Sequence, residues 1–328
     1  MQAIAVLERG AGIDQLALIK LTLPAQLDSQ QVLIKVAYAS LNPVDGKLIA
    51  NQPPFWSYPY IPGLDLAGEV VALGAKVTLV QIGDRVALHA NLTFGGALAE
   101  YSVQPEQVLF KLPHGFDLRL AAALPCAGLT AYQALVRQMN VQAAKTIFIQ
   151  AGSGGVGSFA IIIAKALGLQ VISSCSARNF AYVSSLGADQ ILDYRAGDIY
   201  AQIKELYPEG IDYILETTSK ANLQLDLEIL AFNGQIASIV GILDTRDIRE
   251  FSSGFGFHEV ALGGAYLAKH GPSQADLAQM GRELVELLLV AKMAPQLNEY
   301  AFADYAKAFA ALQSSAQAGK IILKISDG

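Results

Sequence analysis

The stretch Ile147–Gly168, IFIQAGSGGVGSFAIIIAKALG, decides how the chain is read. A short apolar run meets a cluster of glycines, and a long apolar segment follows. That is the pattern of a strand, a tight turn and a buried helix. Gly152, Gly154 and Gly157 complete G-x-G-x-x-G at the junction. In a dinucleotide-binding turn the first glycine permits the tight bend and the second lets the backbone approach a pyrophosphate. The third lets helix and strand pack closely. The N–H groups at the helix start, from Gly155, Val156 and Gly157, then favour an anion together with the helix dipole. The competing reading is a plain structural turn, which glycines serve as well.

Outward from this stretch the rhythm alternates. Strand-like runs TIFIQA, QVISSC, DQILD, DYILETT and QIASIVG are separated by helical segments such as ARNFAYVSSLG and ANLQLDLEILAF. Such alternation from about Leu118 to Gly241 predicts βαβ units and a parallel sheet. EVALGGAYL, residues 259–267, reads as a last strand of that sheet, apolar enough to be the edge through which two copies pair. Before this zone, the short β-branched runs AIAVLE, QVLIKVAYASLN, LAGEVVALG, DRVALHA and LAEYSV are punctuated by turn residues and suggest an all-β unit. After it come a helix with Leu277, Met280, Leu284, Leu287 and Leu288 on one face, then PQLNEYAF, the helix DYAKAFAALQ and the strand GKIILKI. A lone C-terminal strand needs a sheet to join, so the β domain is expected to be built from both chain ends. The expected division is 1–122 with 267–328, and 123–266.

Composition agrees. The 328 residues exceed what one core usually serves, and 53% hydrophobic against 16% charged suits large buried sheets. A net charge of −6 gives nucleic acid or an anionic membrane no obvious surface. Lys165 interrupts the most apolar run, which favours a buried helix over a membrane span. The N-terminus reads as a strand and a turn rather than a secretory signal. Cys126 and Cys175 stand far apart and fit a reducing cytosol, and the scattered His89, His114, His258 and His270 show no ligand spacing. The expected setting is cytoplasmic, with no metal.

The strand after the glycine loop ends in VISSCSARN. An NAD site normally carries an acid about 20 residues beyond the glycines, where it accepts from the ribose hydroxyls. Here Ser173, Ser174, Cys175 and Ser176 stand in that region, followed by Arg178. Ser176 and Arg178 can donate to a 2′-phosphate that an acid would repel, which favours NADPH. The alternative is that Arg178 is only a solvated first-turn residue.

The chain resembles the medium-chain dehydrogenase/reductase superfamily, and within it the zinc-independent quinone-oxidoreductase branch. The resemblance rests on VAYASLNPVDGKL, YIPGLDLAGEVVALGAKVTLVQIGDRV, AAALPCAGLTAYQAL, the glycine stretch and AGKIILKI. It implies an α/β architecture: a doubly wound Rossmann domain beside a GroES-like β-barrel catalytic domain. Zinc alcohol dehydrogenases of the superfamily carry a Cys where NPVD stands here and Gly-His-Glu where GLD stands. Asn42, Leu64 and Asp65 occupy this ground instead, and Leu cannot ligate zinc.

Without a Lewis acid to stabilise an alkoxide, reduction of an acceptor that carries its own electron sink is the easier chemistry. The resemblance implies NADPH-dependent hydride transfer to a quinone, enone or related carbonyl. It places Asn42 and Thr130 near the nicotinamide as candidate catalytic residues. The Asn42 amide can donate to a carbonyl oxygen, or it can simply serve the turn before Pro43. Asp45 is expected to cap or brace that segment. Tyr194 matches a tyrosine flanking the adenosine phosphate, or is a strand-end aromatic. Val240, Gly241 and Ile242 end a strand at its carboxyl edge and are expected to line the nicotinamide pocket. Phe55, Trp56, Tyr58 and Tyr60 wall an acceptor site or pack a surface loop. Ser219 stands where the family usually has Gly, and the loop ILDTRDIREFSSGFGFHE matches nothing familiar. Two alternatives stay open: an enoyl-thioester reductase, and a low-turnover NADPH-binding structural or sensory protein. A homodimer is expected.

Overall fold

The structure, a computed structural model, describes every residue except 247, 249–252, 315–316 and 327–328. By compactness the chain forms two units: Met1–Leu129 with Gly263–Val285 and Gln296–Gly328, and Thr130–Leu262 with Glu286–Pro295.

The first unit opens with β1 (Gln2–Ala5) and β2 (Ala17–Lys20), an antiparallel pair. Then come β3 (Gln31–Leu41), β4 (Asp65–Leu73), β5 (Arg85–His89), β6 (Tyr101–Pro105) and β7 (Phe110–Lys111). The second unit is built on β8 (Thr146–Ile149), β9 (Gln170–Cys175), β10 (Gln190–Asp193), β11 (Ile211–Glu216), β12 (Leu230–Ser238) and β13 (Gly256–Glu259). The chain then returns to the first unit with β14 (Leu297–Ala301) and β15 (Lys320–Lys324).

β3 organises the first unit. One edge pairs along β4, while the other is shared: Gln31–Lys35 pair with β6 and Tyr38–Leu41 with β15. The C-terminal strand therefore completes a sheet begun by the N-terminal third, as the nested plan requires. Its interior is drawn from both ends, with Ile34, Leu66, Leu88, Ile322 and Leu323 fully buried.

In the second unit every pairing is parallel, in the order β10-β9-β8-β11-β12-β13. This is a doubly wound sheet whose order reverses between β8 and β11, and in such sheets ligands bind at the carboxyl ends of the strands beside the reversal. The glycine stretch lies there. Its helix, Gly155–Ala166, buries Phe159, Ile161, Ile162 and Ile163 completely, which accounts for the apolar run as core. Among the described residues no helix is long and apolar enough to cross a membrane.

One expected strand is corrected. EVALGGAYL is not the last strand of the sheet, since β13 is Gly256–Glu259 and pairs only with Gln235–Ser238. β12 ends at Ser238, so the ladder has no partner beyond one further bond from Val260 N–H to the Ser238 carbonyl at 2.9 Å. Gly264–Leu267 instead make a helical turn in the first unit, burying Tyr266, whose hydroxyl donates to the His89 carbonyl. The sheet edge is thus β13, part of the loop that the sequence left unplaced. The preceding residues 247 and 249–252 of that loop lie outside the described residues.

Candidate functional site

The glycine loop is held by its own neighbours. Gly152 N–H donates to the Ser174 carbonyl at 2.9 Å, seating the loop against the end of β9. A Cβ at Gly152 would stand 2.1 Å from Ser173 Oγ, and one at Gly157 2.3 Å from the Ala151 carbonyl oxygen. Those two glycines are required by packing. Gly154 differs: a Cβ there meets only the Ala151 carbonyl oxygen, at 3.3 Å. Gly154 caps the helix without a side-chain bond, so the first-turn N–H groups of Gly155, Val156 and Gly157 have no intrahelical acceptor. This cradle fits the pyrophosphate of a dinucleotide.

The end of β9 lies beside it. Ser176 is buried at the start of a short turn, Arg178 is exposed on that turn, and Asn179 Nδ2 donates to Ser153 Oγ of the glycine loop at 3.0 Å. Asp193 pairs with Cys175 across the adjacent strands, which sets Tyr194 just past the end of β10 next to Ser176. Tyr194 is exposed, and the Arg195 guanidinium lies 5.5 Å from its ring centre. Arg195 is a second cation at this corner that the sequence reading passed over; its signal was the YR pair directly after a strand. Val240, Gly241 and Ile242 do not end β12 but form the turn beyond it. Ser238 ties that turn down, donating to the Gly241 carbonyl at 2.9 Å and accepting from Val240 N–H at 3.3 Å. Thr130 is buried in the helical turn Leu129–Tyr132, between two wide-turn helical segments.

Beneath the switch point is a polar network that sequence reasoning missed. Gln150 Nε2 donates to Asp226 Oδ1 at 2.8 Å, while its Oε1 accepts from Thr218 Oγ1 at 2.9 Å and Asn222 Nδ2 at 3.1 Å. Glu216 Oε1 accepts from Thr218 N–H and from Ser219 N–H at 3.0 Å, and at 2.7 Å from Thr218 Oγ1 it competes with Gln150 Oε1 for the one hydroxyl hydrogen. Burial, then the Glu216 charge, pushes Asp226 up to about 8, so Asp226 holds a proton at neutral pH.

The first unit holds a second cluster, around Asn42. The residue sits where β3 ends and the helix Pro43–Asn51 begins, and its backbone N–H donates to Asp45 Oδ2 at 2.7 Å. Asp45 is thus an N-terminal brace, pushed up to about 7 by burial and then by Asp65. The Asn42 side chain is fixed at both ends. Its Nδ2 donates to Asp65 Oδ2 at 2.8 Å, and its Oδ1 accepts from Lys320 Nζ at 2.5 Å. Lys320 also donates to the Leu41 carbonyl at 3.2 Å and stands 3.5 Å from Asp65 Oδ2. Asp65 Oδ1 accepts the Cys126 N–H at 2.7 Å. Asn42, Asp65 and Lys320 are all buried, a full ion pair in the protein interior. Burial raises Asp65 to about 6 against the opposing pull of Lys320 and its hydrogen-bond donors, so it remains ionised at neutral pH. Sequence reasoning found Asn42 but not its partners; Lys320 lies 278 positions away.

The aromatic loop is packed internally. Trp56 and Tyr60 are buried and stack at 3.9 Å, Tyr60 donates to the Leu92 carbonyl at 2.5 Å and Tyr58 to Gln52 Oε1 at 2.9 Å. Neither phenol proton is free.

Two family profiles match the chain: one described as "Alcohol dehydrogenase GroES-like domain" over residues 28–114, one as "Zinc-binding dehydrogenase" over residues 155–286. A chloroplastic quinone-oxidoreductase homolog from Spinacia oleracea is 39% identical over 227 residues, 67% of this chain and 68% of the relative. The chain belongs to the medium-chain dehydrogenase/reductase superfamily, in its quinone-oxidoreductase-like branch. It is an oxidoreductase. A trans-enoyl reductase of Aspergillus terreus, pgmF, is 39% identical over 194 residues, 56% of this chain and 54% of that protein. The quinone oxidoreductase of Pseudomonas syringae pv. Tomato DC3000 superposes with a TM-score of 0.86 at 28% identity, covering 98% of this chain and 99% of the other.

The zinc in one profile's description does not fit this oxidoreductase. Leu64 has no donor atom, the Asn42 carbonyl oxygen is taken by an ammonium, and burial and then Asp65 hold the Cys126 thiol well above its usual pKa. A divalent ion here would have to share the cluster with the Lys320 charge. Among the described residues no group of three His, Cys, Asp or Glu could hold a metal.

Proposed function

We propose that this protein is an NADPH-dependent reductase of quinones, enones and related activated carbonyls that works without a metal. NADPH, when bound, supplies a hydride. The glycine loop receives the pyrophosphate on the N–H groups of Gly155, Val156 and Gly157, with Gly154 leaving room for its approach. Ser176 and Arg178 receive the 2′-phosphate; no residue of β9 itself is acidic, and the nearby carboxylate is Asp193, which pairs with Cys175 from the neighbouring strand. Tyr194 flanks the adenosine side, and Thr130 with the turn Val240–Ile242 contacts the nicotinamide.

The observation that carries the acceptor chemistry is the Asn42 amide. It is a neutral donor whose Nδ2 donates to Asp65 at 2.8 Å and also faces the Asp45 carboxylate, from which an acceptor's oxygen takes over the second hydrogen. That hydrogen donates to the acceptor's carbonyl oxygen as charge arrives there, and water supplies the proton that completes reduction. No Lewis acid is needed, because a quinone or enone delocalises the incoming charge onto that oxygen. The test is a fluorescence titration with NADPH and NADH, followed by turnover on a quinone, a cyclic enone and an enoyl-CoA. Binding of NADPH well above NADH with turnover of the first two supports the reading; preferential turnover of enoyl-CoA overturns the acceptor assignment.

Enoyl-thioester reduction is the second reading, favoured by the likeness to the Aspergillus trans-enoyl reductase. Against it, the hydroxyls of Tyr58 and Tyr60 are both spent on the protein itself. We also propose that the protein works in the cytosol as a homodimer; a monomeric mass by light scattering at micromolar concentration would refute the dimer.

A further inference from the structure

We propose that Lys320 and Asp65 are positioning residues that fix the orientation of the Asn42 amide, so that an N–H rather than the carbonyl oxygen is offered to the acceptor. The proposal rests on the role given to Asn42 above. An amide can sit in either of two orientations related by a half-turn, and its hydrogen-bond partners decide between them. Here the partners are opposite in kind. The Lys320 ammonium can only donate, and it faces Oδ1 at 2.5 Å. The Asp65 carboxylate can only accept, and it faces Nδ2 at 2.8 Å. Turning the amide over would set ammonium against NH2 and carboxylate against carbonyl oxygen at once. Both bonds are charge-assisted and buried, so the wrong orientation is excluded rather than merely disfavoured.

The supporting groups are themselves fixed. Lys320 spends its remaining hydrogens on the Leu41 carbonyl and the Asp65 carboxylate, and Asp65 is anchored on its other oxygen by Cys126 N–H. Lys320 opens β15 and Leu41 ends β3, whose pairing aligns Leu41 with Ile321. A lysine at the start of the C-terminal strand therefore reaches the end of β3 without any loop between them. The amide lies beside the ion pair and bonds both members, 2.5 Å from one and 2.8 Å from the other, while the ions themselves are 3.5 Å apart.

Removing one charge alone would strand the other in the interior and threaten the fold. The informative background is Lys320→Met with Asp65→Leu, which removes both charges, keeps volume and leaves Asn42 in place. Asn42→Ala is then made in the wild type and in that background, and steady-state reduction of a cyclic enone by NADPH is measured, with thermal melting and NADPH affinity as controls. In the wild type, Asn42→Ala is expected to lower kcat at least tenfold with little change in acceptor KM. The charge-free pair is expected to melt cooperatively, bind NADPH as the wild type does, and show a similar loss of kcat. Adding Asn42→Ala to it should then cost less than twofold. An equal loss from Asn42→Ala in both backgrounds overturns the positioning role alone. An Asn42→Ala variant that matches the wild type overturns the role of Asn42 and the positioning role together. If the charge-free pair does not fold, Asp65→Asn with Lys320→Gln, which removes both one-way partners while keeping polar groups in place, serves as the background instead; an equal loss of kcat from Asn42→Ala in that background and in the wild type overturns the positioning role.

Discussion

Replacing Gly152 with alanine separates what the glycine loop needs for its own packing from what it needs for a ligand. The added Cβ would stand 2.1 Å from Ser173 Oγ and 2.9 Å from Ile161 Cδ1. Ser173 is fully buried and its hydroxyl donates to the Ile149 carbonyl at 2.8 Å, so it cannot swing aside without breaking that bond. Overpacking of this kind costs about 1–3 kcal/mol, and the lost hydrogen bond adds about 1 kcal/mol. Gly152→Ala should therefore destabilise by about 2–4 kcal/mol, a fall of roughly 5–10 °C in melting midpoint for a unit of this size. Adding Ser173→Ala removes the closest contact and leaves Ile161 Cδ1, the end of a flexible side chain, at 2.9 Å and the residue 173 Cβ at 3.1 Å, so part of the loss should return. Gly154→Ala is the contrast. Its Cβ meets only the Ala151 carbonyl oxygen at 3.3 Å, and melting should change by less than about 1 kcal/mol. Its NADPH affinity should nevertheless fall at least tenfold, about 1.4 kcal/mol, because the methyl stands where the pyrophosphate approaches. Differential scanning fluorimetry and a cofactor fluorescence titration read both quantities. A Gly154→Ala protein that binds NADPH like the wild type would refute the phosphate cradle and leave a structural turn.

Arg178→Ala should weaken NADPH at least tenfold and leave NADH nearly unchanged in the same titration; equal weakening of both would remove Arg178 from the 2′-phosphate. Asp226 holds a proton in the folded state up to about pH 8 that it gives up near pH 4 when unfolded. The folded protein thus binds more protons across that window, and stability should fall as pH rises from about 4 to 8, by at most about 1.4 kcal/mol per pH unit. Melting midpoints at pH 5.5 and 7.5 check this, and Asp226→Asn should flatten the slope. Tyr60→Phe should cost about 1 kcal/mol through the lost bond to the Leu92 carbonyl and leave enone turnover within twofold; a large loss of kcat would give the Tyr60 hydroxyl a part in turnover beyond packing the loop.

Most of the second unit was legible because its signals are local. A strand, a glycine turn and a helix follow one another within Ile147–Gly168, and each side chain's role depends on near neighbours. EVALGGAYL failed for the opposite reason. Apolar residues there satisfy a strand pattern, but how far a strand extends depends on its partner, and β12 stops at Ser238. Asn42 was reached through the family resemblance, whereas the Lys320 ammonium that grips it comes from the far end of the chain. Nothing in GKIILKI marks that lysine as buried, since lysine at a strand end is ordinarily solvated. The Gln150–Glu216–Asp226 network was hidden likewise, because three separate segments supply it.

The split edge of β3 sets the order in which this protein can be made. On a ribosome, Gln31–Lys35 emerge soon before their β6 partners, but Tyr38–Leu41 must wait for β15, at residues 320–324. The parallel sheet is complete in sequence by Glu259, so it is free to fold while half of that β3 edge is still unpaired. Asn42 and Asp65 meanwhile lack their cation, and the exposed rim offers unpaired backbone to any neighbouring chain. A nascent chain stalled before Lys320 would hold every residue of the glycine loop while the cluster around Asn42 still lacked its cation and half of one β3 edge its partner.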